Sequence, residues 1–309
     1  MNHWRRLRRF APWLIFLAAL WLLISTFDWA ALSRILLDMD LTLAIVVASA
    51  LVIGGFLVRG VRSWALLRRM GCNCPLVPCV LSGFVGGGLA NVTPGQFGEA
   101  FRVEMLHSVG YLNRSTGYAL FLGERLVDLL VLVGGGLIVI SLGLATADSH
   151  WTLLGIAGGL CVVALAGLLW LAFGPIPKRF LIMQTSLRHM LARPDLLGIN
   201  VVGSIVSWFF ILVLWDVLLR SVGVELPLIE VAYVMIVVML AIIASLIPGG
   251  LGVSEVVAAA LLVDFGIEAG PAEAAAITLR IAGLESAAVG AIAWLCWIQL
   301  RKRLRKAQT

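Results

Sequence analysis

The chain reads as an all-α polytopic integral membrane protein with about six full spans, two oppositely oriented re-entrant helical hairpins and an inverted-topology repeat. Three observations predict it. Of 309 residues, 61% are hydrophobic and 13% charged, well under the quarter or so of charged residues in soluble domains. Lysines and arginines gather in clusters between apolar runs. Two apolar segments break at Pro-Gly pairs, in "NVTPGQFGEAFRVE" (91–104) and in "IPGGLGVSE" (247–255).

A bilayer core about 30 Å thick takes roughly 20 apolar residues per helix. The first such run, 11–27, follows Arg5, Arg6, Arg8 and Arg9 and has no small-residue cleavage site behind it, so it reads as a retained span. The second, 41–58, is closed by Arg59, Arg62, Arg68 and Arg69. Because cytoplasmic flanks carry the excess of Lys and Arg, both termini and this basic stretch belong inside.

The next apolar segment, 76–92, is short and rich in glycine. If it crossed fully, the span 117–144 would run inward and put the basic loop at Lys178, Arg179, Arg188 and Arg193 on the wrong side. If it turns back at Pro94-Gly95, every basic cluster lands inside. A cytoplasm-facing hairpin is therefore expected, followed by spans 117–144, 151–173, 197–219 and 273–297. Residues 228–247 run into the second break, and Asp264, Glu268 and Glu273 mark a face without Lys or Arg. That hairpin is expected to enter from the other side.

The halves overlay. Pro94-Gly95 falls on Pro248-Gly249, Phe97-Gly98 on Leu251-Gly252, and Arg125 on Arg280. Two similar broken elements facing opposite leaflets are what an inverted repeat predicts, here over roughly 41–173 and 197–298 of one integral membrane domain, 1–309.

The breaks carry chemistry. Irregular backbone at membrane depth leaves N–H and C=O groups that hydrocarbon cannot satisfy, so it survives inside protein or along a wet cavity. A Pro-Gly turn before a helix start presents free N–H groups and a positive dipole end, which suits an anionic headgroup. Thr93, Pro94, Gly95 and Gly98 at one tip and Pro248, Gly249, Gly250 and Gly252 at the other are the candidates for holding it. Glu99 and Glu255 near these starts either neutralise the helix dipole or belong to the site.

Within "GYALFLGERLVDLLVL", Glu124, Arg125 and Asp128 fall at membrane depth, where a charge facing lipid costs roughly 2.5–3.5 kcal/mol on insertion scales. They should face inward, either as a local ion pair or as a site. Arg280 has no acid within one turn. It needs a distant carboxylate or a phosphate, and its planar donors suit phosphate.

At these residues the sequence resembles a known family. "TPGQFGE", then "ER" with an Asp three residues after the Arg, then "PGGLGVSE" and a late intramembrane Arg are similar to the flippase-like family that includes the transmembrane domain of lysylphosphatidylglycerol synthetases, over roughly 10–298. The resemblance implies a multi-pass protein of the bacterial inner membrane that translocates lipids. It carries over to Pro94, Gly95, Gly98, Glu99, Glu124, Arg125, Asp128, Pro248, Gly249, Gly250, Gly252, Glu255 and Arg280. Two departures are expected to matter. Gln96 stands where a second glycine is common, which stiffens that turn, and no soluble aminoacyl-transfer domain follows residue 309, so synthetase activity is not implied.

Other classes find less support. The net charge of +6 sits at span ends, which argues topology and against nucleic acid. Cys72, Cys74 and Cys79 lack a fourth ligand at zinc spacing. The four histidines form no metal pattern, and no nucleotide-binding motif or nucleophile elbow occurs; no cofactor is expected. The glycine runs 86–88 and 134–136 read as close helix packing. Asp38 and Asp40 form a D-x-D, which leaves a polytopic glycosyltransferase using a polyprenyl-phosphate sugar as the enzyme alternative; a scaffold for a partner lipid or glycan synthase, or a homo-oligomer, is the interaction alternative. The expected function is transport of a lipid with an anionic headgroup held by Arg125 or Arg280, while Glu99, Glu124, Asp128 and Glu255 carry protons or balance the arginines.

Overall fold

The computed structural model describes residues 37–141, 148–245 and 247–306; the expected first span, 11–27, lies outside them. Ten α-helices follow one another with no strand among the described residues. We number them α1 (Thr42–Arg69), α2 (Leu76–Ala90), α3 (Phe101–His107), α4 (Arg114–Ser141), α5 (Asp148–Phe173), α6 (Leu181–Ala192), α7 (Pro194–Ser221), α8 (Leu228–Ser245), α9 (Val253–Asp264) and α10 (Ala269–Lys306).

Four of these are long and apolar enough to cross a bilayer: α1, α7, α8 and α10. α4 also has the length, at 28 residues, and is interrupted only by its own charges. The outer surface is apolar, as lipid requires: Val202, Ile205 and Phe209 on α7 and Leu284, Ile292 and Leu295 on α10 are all exposed. No water-soluble domain tolerates so continuous an apolar exterior.

α1 and α7 form an antiparallel pair. At one end the Asp40 N–H donates to the Ser221 carbonyl at 2.8 Å, and Asp40 Oδ1 accepts the N–H groups of Thr42 and Leu43 to start α1. At the other end Arg69 reaches Asp195 at 3.1 Å. Asp195 is held there by Arg193 as well, at 2.6 Å.

The two broken segments are helical hairpins. In the first, α2 ends at a 3-10 turn, Pro94–Ala100, and the chain comes back along it: Gly98 lies on the Leu89 backbone and Glu99 on Gly86. In the second, α8 ends at a 3-10 turn, Pro248–Gly250, and α9 returns, with Gly250 against Ile242 and the Phe265 ring edge-on to Tyr233 at 5.8 Å. Hairpin 1 starts just past Arg69 and hairpin 2 just past Ser221, so they rise from opposite ends of the α1–α7 pair. Their tips touch. A Cβ at Gly249 has no room, because the Asn91 carbonyl oxygen fills that space.

Small residues allow the close crossings. A Cβ on Gly88 would sit 2.7 Å from the Gly290 Cα and 2.9 Å from the Ser286 oxygen, so α2 crosses α10 nearly backbone to backbone, as small-residue stripes permit in membranes. α8 forms the centre of the larger core, sealed by α4, α7, α9 and α10. A second core joins hairpin 1 to α4 and α6.

One expectation fails. The span 41–58 was to end before a cytoplasmic flank beginning at Arg59. Instead α1 runs unbroken to Arg69, and Arg62 is only 4% exposed. These two arginines are part of the interior, because carboxylates from other helices wait for them there.

A charged cavity at the hairpin tips

A network of ion pairs ties α1, hairpin 1 and α4 together. Asp128 Oδ1 accepts Arg62 Nη1 at 2.6 Å and Oδ2 accepts Arg62 Nη2 at 3.2 Å, a bidentate fork that suits guanidinium to carboxylate. Asp128 also takes Arg125 Nη2 at 2.8 Å. Glu99 receives Arg59 Nη1 at 2.8 Å and Arg125 Nη2 at 2.6 Å. Glu124, fully buried, accepts the Ser63 hydroxyl at 2.6 Å and the Arg102 guanidinium.

Four arginines (59, 62, 102 and 125) thus face three carboxylates (99, 124 and 128), four minus three leaving one unbalanced positive charge. Burying charge is tolerable only when it is paired and hydrogen-bonded. Every carboxylate here meets that condition, and the cations do so less completely: Arg125 Nε is buried with no hydrogen-bond partner.

Arg280, on α10, is bound to the second hairpin. Its Nη1 donates to the Gly249 carbonyl at 2.6 Å and its Nε lies 3.2 Å from Glu255 Oε1. Glu255 Oε2 accepts the Gly252 N–H at 2.9 Å and the Ser254 hydroxyl at 2.6 Å, which closes the first turn of α9. So the distant partner that Arg280 required is a carboxylate, and Glu255 is both a cap and a counter-ion. Left-handed backbone at Gly249, Gly250 and Gly252 (φ 59°, 66° and 83°) makes this tip one that only glycine forms without strain.

A cavity of about 420 Å³ opens between the tips. Its polar wall is Arg59, Glu99, Arg125 and Asp128 on one side and Arg280 with Gly249 on the other; Phe56, Trp208, Ile211, Trp215 and Ile242 supply apolar walls. Of the residues expected to form the site, Arg125, Arg280, Glu99, Asp128 and Gly249 line it. Glu124 and Glu255 stand behind the lining and hold it.

Other expected residues build the tips. The Thr93 hydroxyl donates to the Leu89 carbonyl at 2.8 Å and accepts the Gly98 N–H at 2.7 Å, so it clamps the turn, and Gly98 is buried in that clamp. Pro248, Gly250 and Gly252 shape the second tip, while Pro94 and Gly95 open the first 3-10 turn. The local Arg125–Asp128 pair expected as an alternative does form, but Asp128 is shared with Arg62. Sequence reasoning missed Arg59, Arg62 and Arg102. The one signal for them was an excess of arginine beside two apolar segments, which a cytoplasmic flank shows equally well. The D-x-D resolves differently: Asp40 is spent starting α1, and Asp38 is exposed.

Fold and site together define a polytopic α-helical membrane protein with a charged cavity enclosed between two opposed hairpins. A model of the lysylphosphatidylglycerol synthase TM region matches residues 10–290, and the chain belongs to that family. No curated protein and no solved structure matches it.

Proposed function

We propose that the protein is a lipid transporter that moves a phosphate-containing lipid between the leaflets of a bacterial inner membrane. Phosphatidylglycerol and its aminoacylated forms, and polyprenyl-phosphate-linked lipids, are the substrate classes this reading admits. Family membership supports it. The observation that carries it is the cavity wall, in which three arginines face two carboxylates between hairpin tips from opposite ends of the bundle.

In this reading the hairpins are re-entrant, the halves form an inverted repeat, and both termini face the cytoplasm. A phosphate replaces part of the carboxylate coordination of Arg125 or Arg280, and the tail remains against the apolar outer surface. The excess positive charge is neutralised by the arriving headgroup, which lowers the cost of closing the cavity around it. Gln96 and Gly250, paired by the overlay, share a left-handed backbone (φ 59° and 66°), which supports the repeat.

The test is reconstitution of the full chain into vesicles carrying headgroup-labelled phosphatidylglycerol, with label in the outer leaflet quenched chemically. Arg125→Ala and Arg280→Ala should each reduce leaflet exchange to the level of protein-free vesicles, and Arg280→Lys should retain part of it. Exchange at the wild-type rate in both alanine variants overturns the reading.

A further inference from the structure

Glu285 lies in the middle of α10, within a segment long and apolar enough to span the bilayer. It faces α1, where Ser49 Oγ donates to its Oε1 at 3.0 Å. Its Oε2 is buried and has no partner. Around it the contact between α1 and α10 is apolar: Ala48 and Val52 on one side, Ala282 and Val289 on the other.

Among the described residues no cation compensates this carboxyl. On α1 the closest charged residue in sequence is Arg59, bound to Glu99. On α10 it is Arg280, bound to Glu255 of α9. α7 brings Asp216, bound to its own Arg220, and α2 carries no Asp, Glu, Lys or Arg. Among the described residues the one hydrogen-bond partner of Glu285 is Ser49. An ionised carboxylate in such a place, with one oxygen unsatisfied, costs far more than a protonated one.

The same stretch of helix reaches the cavity. Ala282, Gly283 and Ser286 of α10 line it, as do Leu51 and Val52 of α1. Glu285 is therefore one helix face away from the space where the headgroup is proposed to sit.

We propose that Glu285 is a proton-binding site that couples closure of the α1–α10 seam to pH. This deepens the transport reading and rests on it. The carboxyl keeps its proton while the seam is closed and releases it when the helices part and water enters. Raising the pH then favours the open seam, and any step that requires the closed seam slows. Glu285→Gln imitates the protonated form and removes the dependence. With one proton involved, the closed population falls at most tenfold per pH unit above the titration.

The experiment has two arms on the reconstituted full chain. In the first, exchange of headgroup-labelled phosphatidylglycerol is followed across pH. Wild type should slow as the pH rises, with a limiting slope of about tenfold per unit, and Glu285→Gln should hold the low-pH rate throughout. Coinciding profiles overturn the proposal. In the second, infrared difference spectra should show a protonated-carboxyl band in wild type that Glu285→Gln lacks; absence of the band in wild type also overturns it. If the band is present but no labelled lipid moves at any pH, the transport reading falls and takes the coupling with it, while the proton site survives.

Discussion

At the scale of residues, the interior ion pairs dominate. Arg62 and Asp128 are both almost fully buried and joined by two hydrogen bonds. Removing Asp128 leaves Arg62 buried without its counter-ion, which typically costs about 3–5 kcal/mol, whereas removing Arg62 leaves Asp128 still bound to Arg125 at 2.8 Å and costs less. Asp128→Leu should lower the thermal unfolding midpoint in detergent sharply and Arg62→Met by less, and the double variant should recover a large part of the Asp128→Leu loss. A double variant as unstable as the sum of the two would mean that the pair acts independently on the fold. Gln96 is a smaller case. It is the one non-glycine residue with a left-handed backbone among those described, a conformation that costs roughly 1–2 kcal/mol for residues with a Cβ. Gln96→Gly should raise the same midpoint slightly, and a fall would show that the Gln96 side chain holds the first tip. That this position departs from glycine was readable in the sequence. That Arg62 meets Asp128 was not, because 66 residues separate them and no local pattern encodes which buried acid an arginine finds.

At the scale of elements, the hairpins were the legible part and the helix ends were not. Pro94-Gly95 and Pro248-Gly249 interrupt apolar runs where a straight span has no use for them, so both breaks could be located from residue types alone. The end of α1 could not. Arg59 and Arg62 interrupt hydropathy as a cytoplasmic flank does, and only the carboxylates on hairpin 1 and α4 reveal that the helix continues. The glycine runs divide in a way that composition does not announce. Gly88 is pressed onto Gly290, while a Cβ at Gly134 meets nothing within 4 Å. Gly88→Val must therefore drive α2 and α10 apart, an overpacking that costs typically about 1–3 kcal/mol. Gly134→Ala should be neutral or stabilising by up to about 1 kcal/mol, the helix-propensity difference. Parallel melting curves check both, and equal midpoints for the two variants would contradict the α2–α10 contact.

For the whole molecule, the decisive relation is that the hairpins start at opposite ends of an antiparallel helix pair and meet at their tips. This places Arg125 with its network and Arg280 with Glu255 on two sides of one cavity, each held by a different hairpin. In the proposed transport, movement of either hairpin would change the access of that cavity from its own end, while the arginine bound to the other hairpin stays in place. Such alternation requires the two hairpin bases to face different aqueous phases. Asn73, between α1 and α2, and Glu225, between α7 and α8, are both exposed and mark those bases. In a background freed of native cysteines, Asn73→Cys should react with a membrane-impermeant maleimide only in inverted vesicles, and Glu225→Cys only in right-side-out ones. Labelling of both from one side would place the hairpins in the same leaflet, leave Arg125 and Arg280 reachable from a single phase, and remove the geometric basis for carrying a headgroup across.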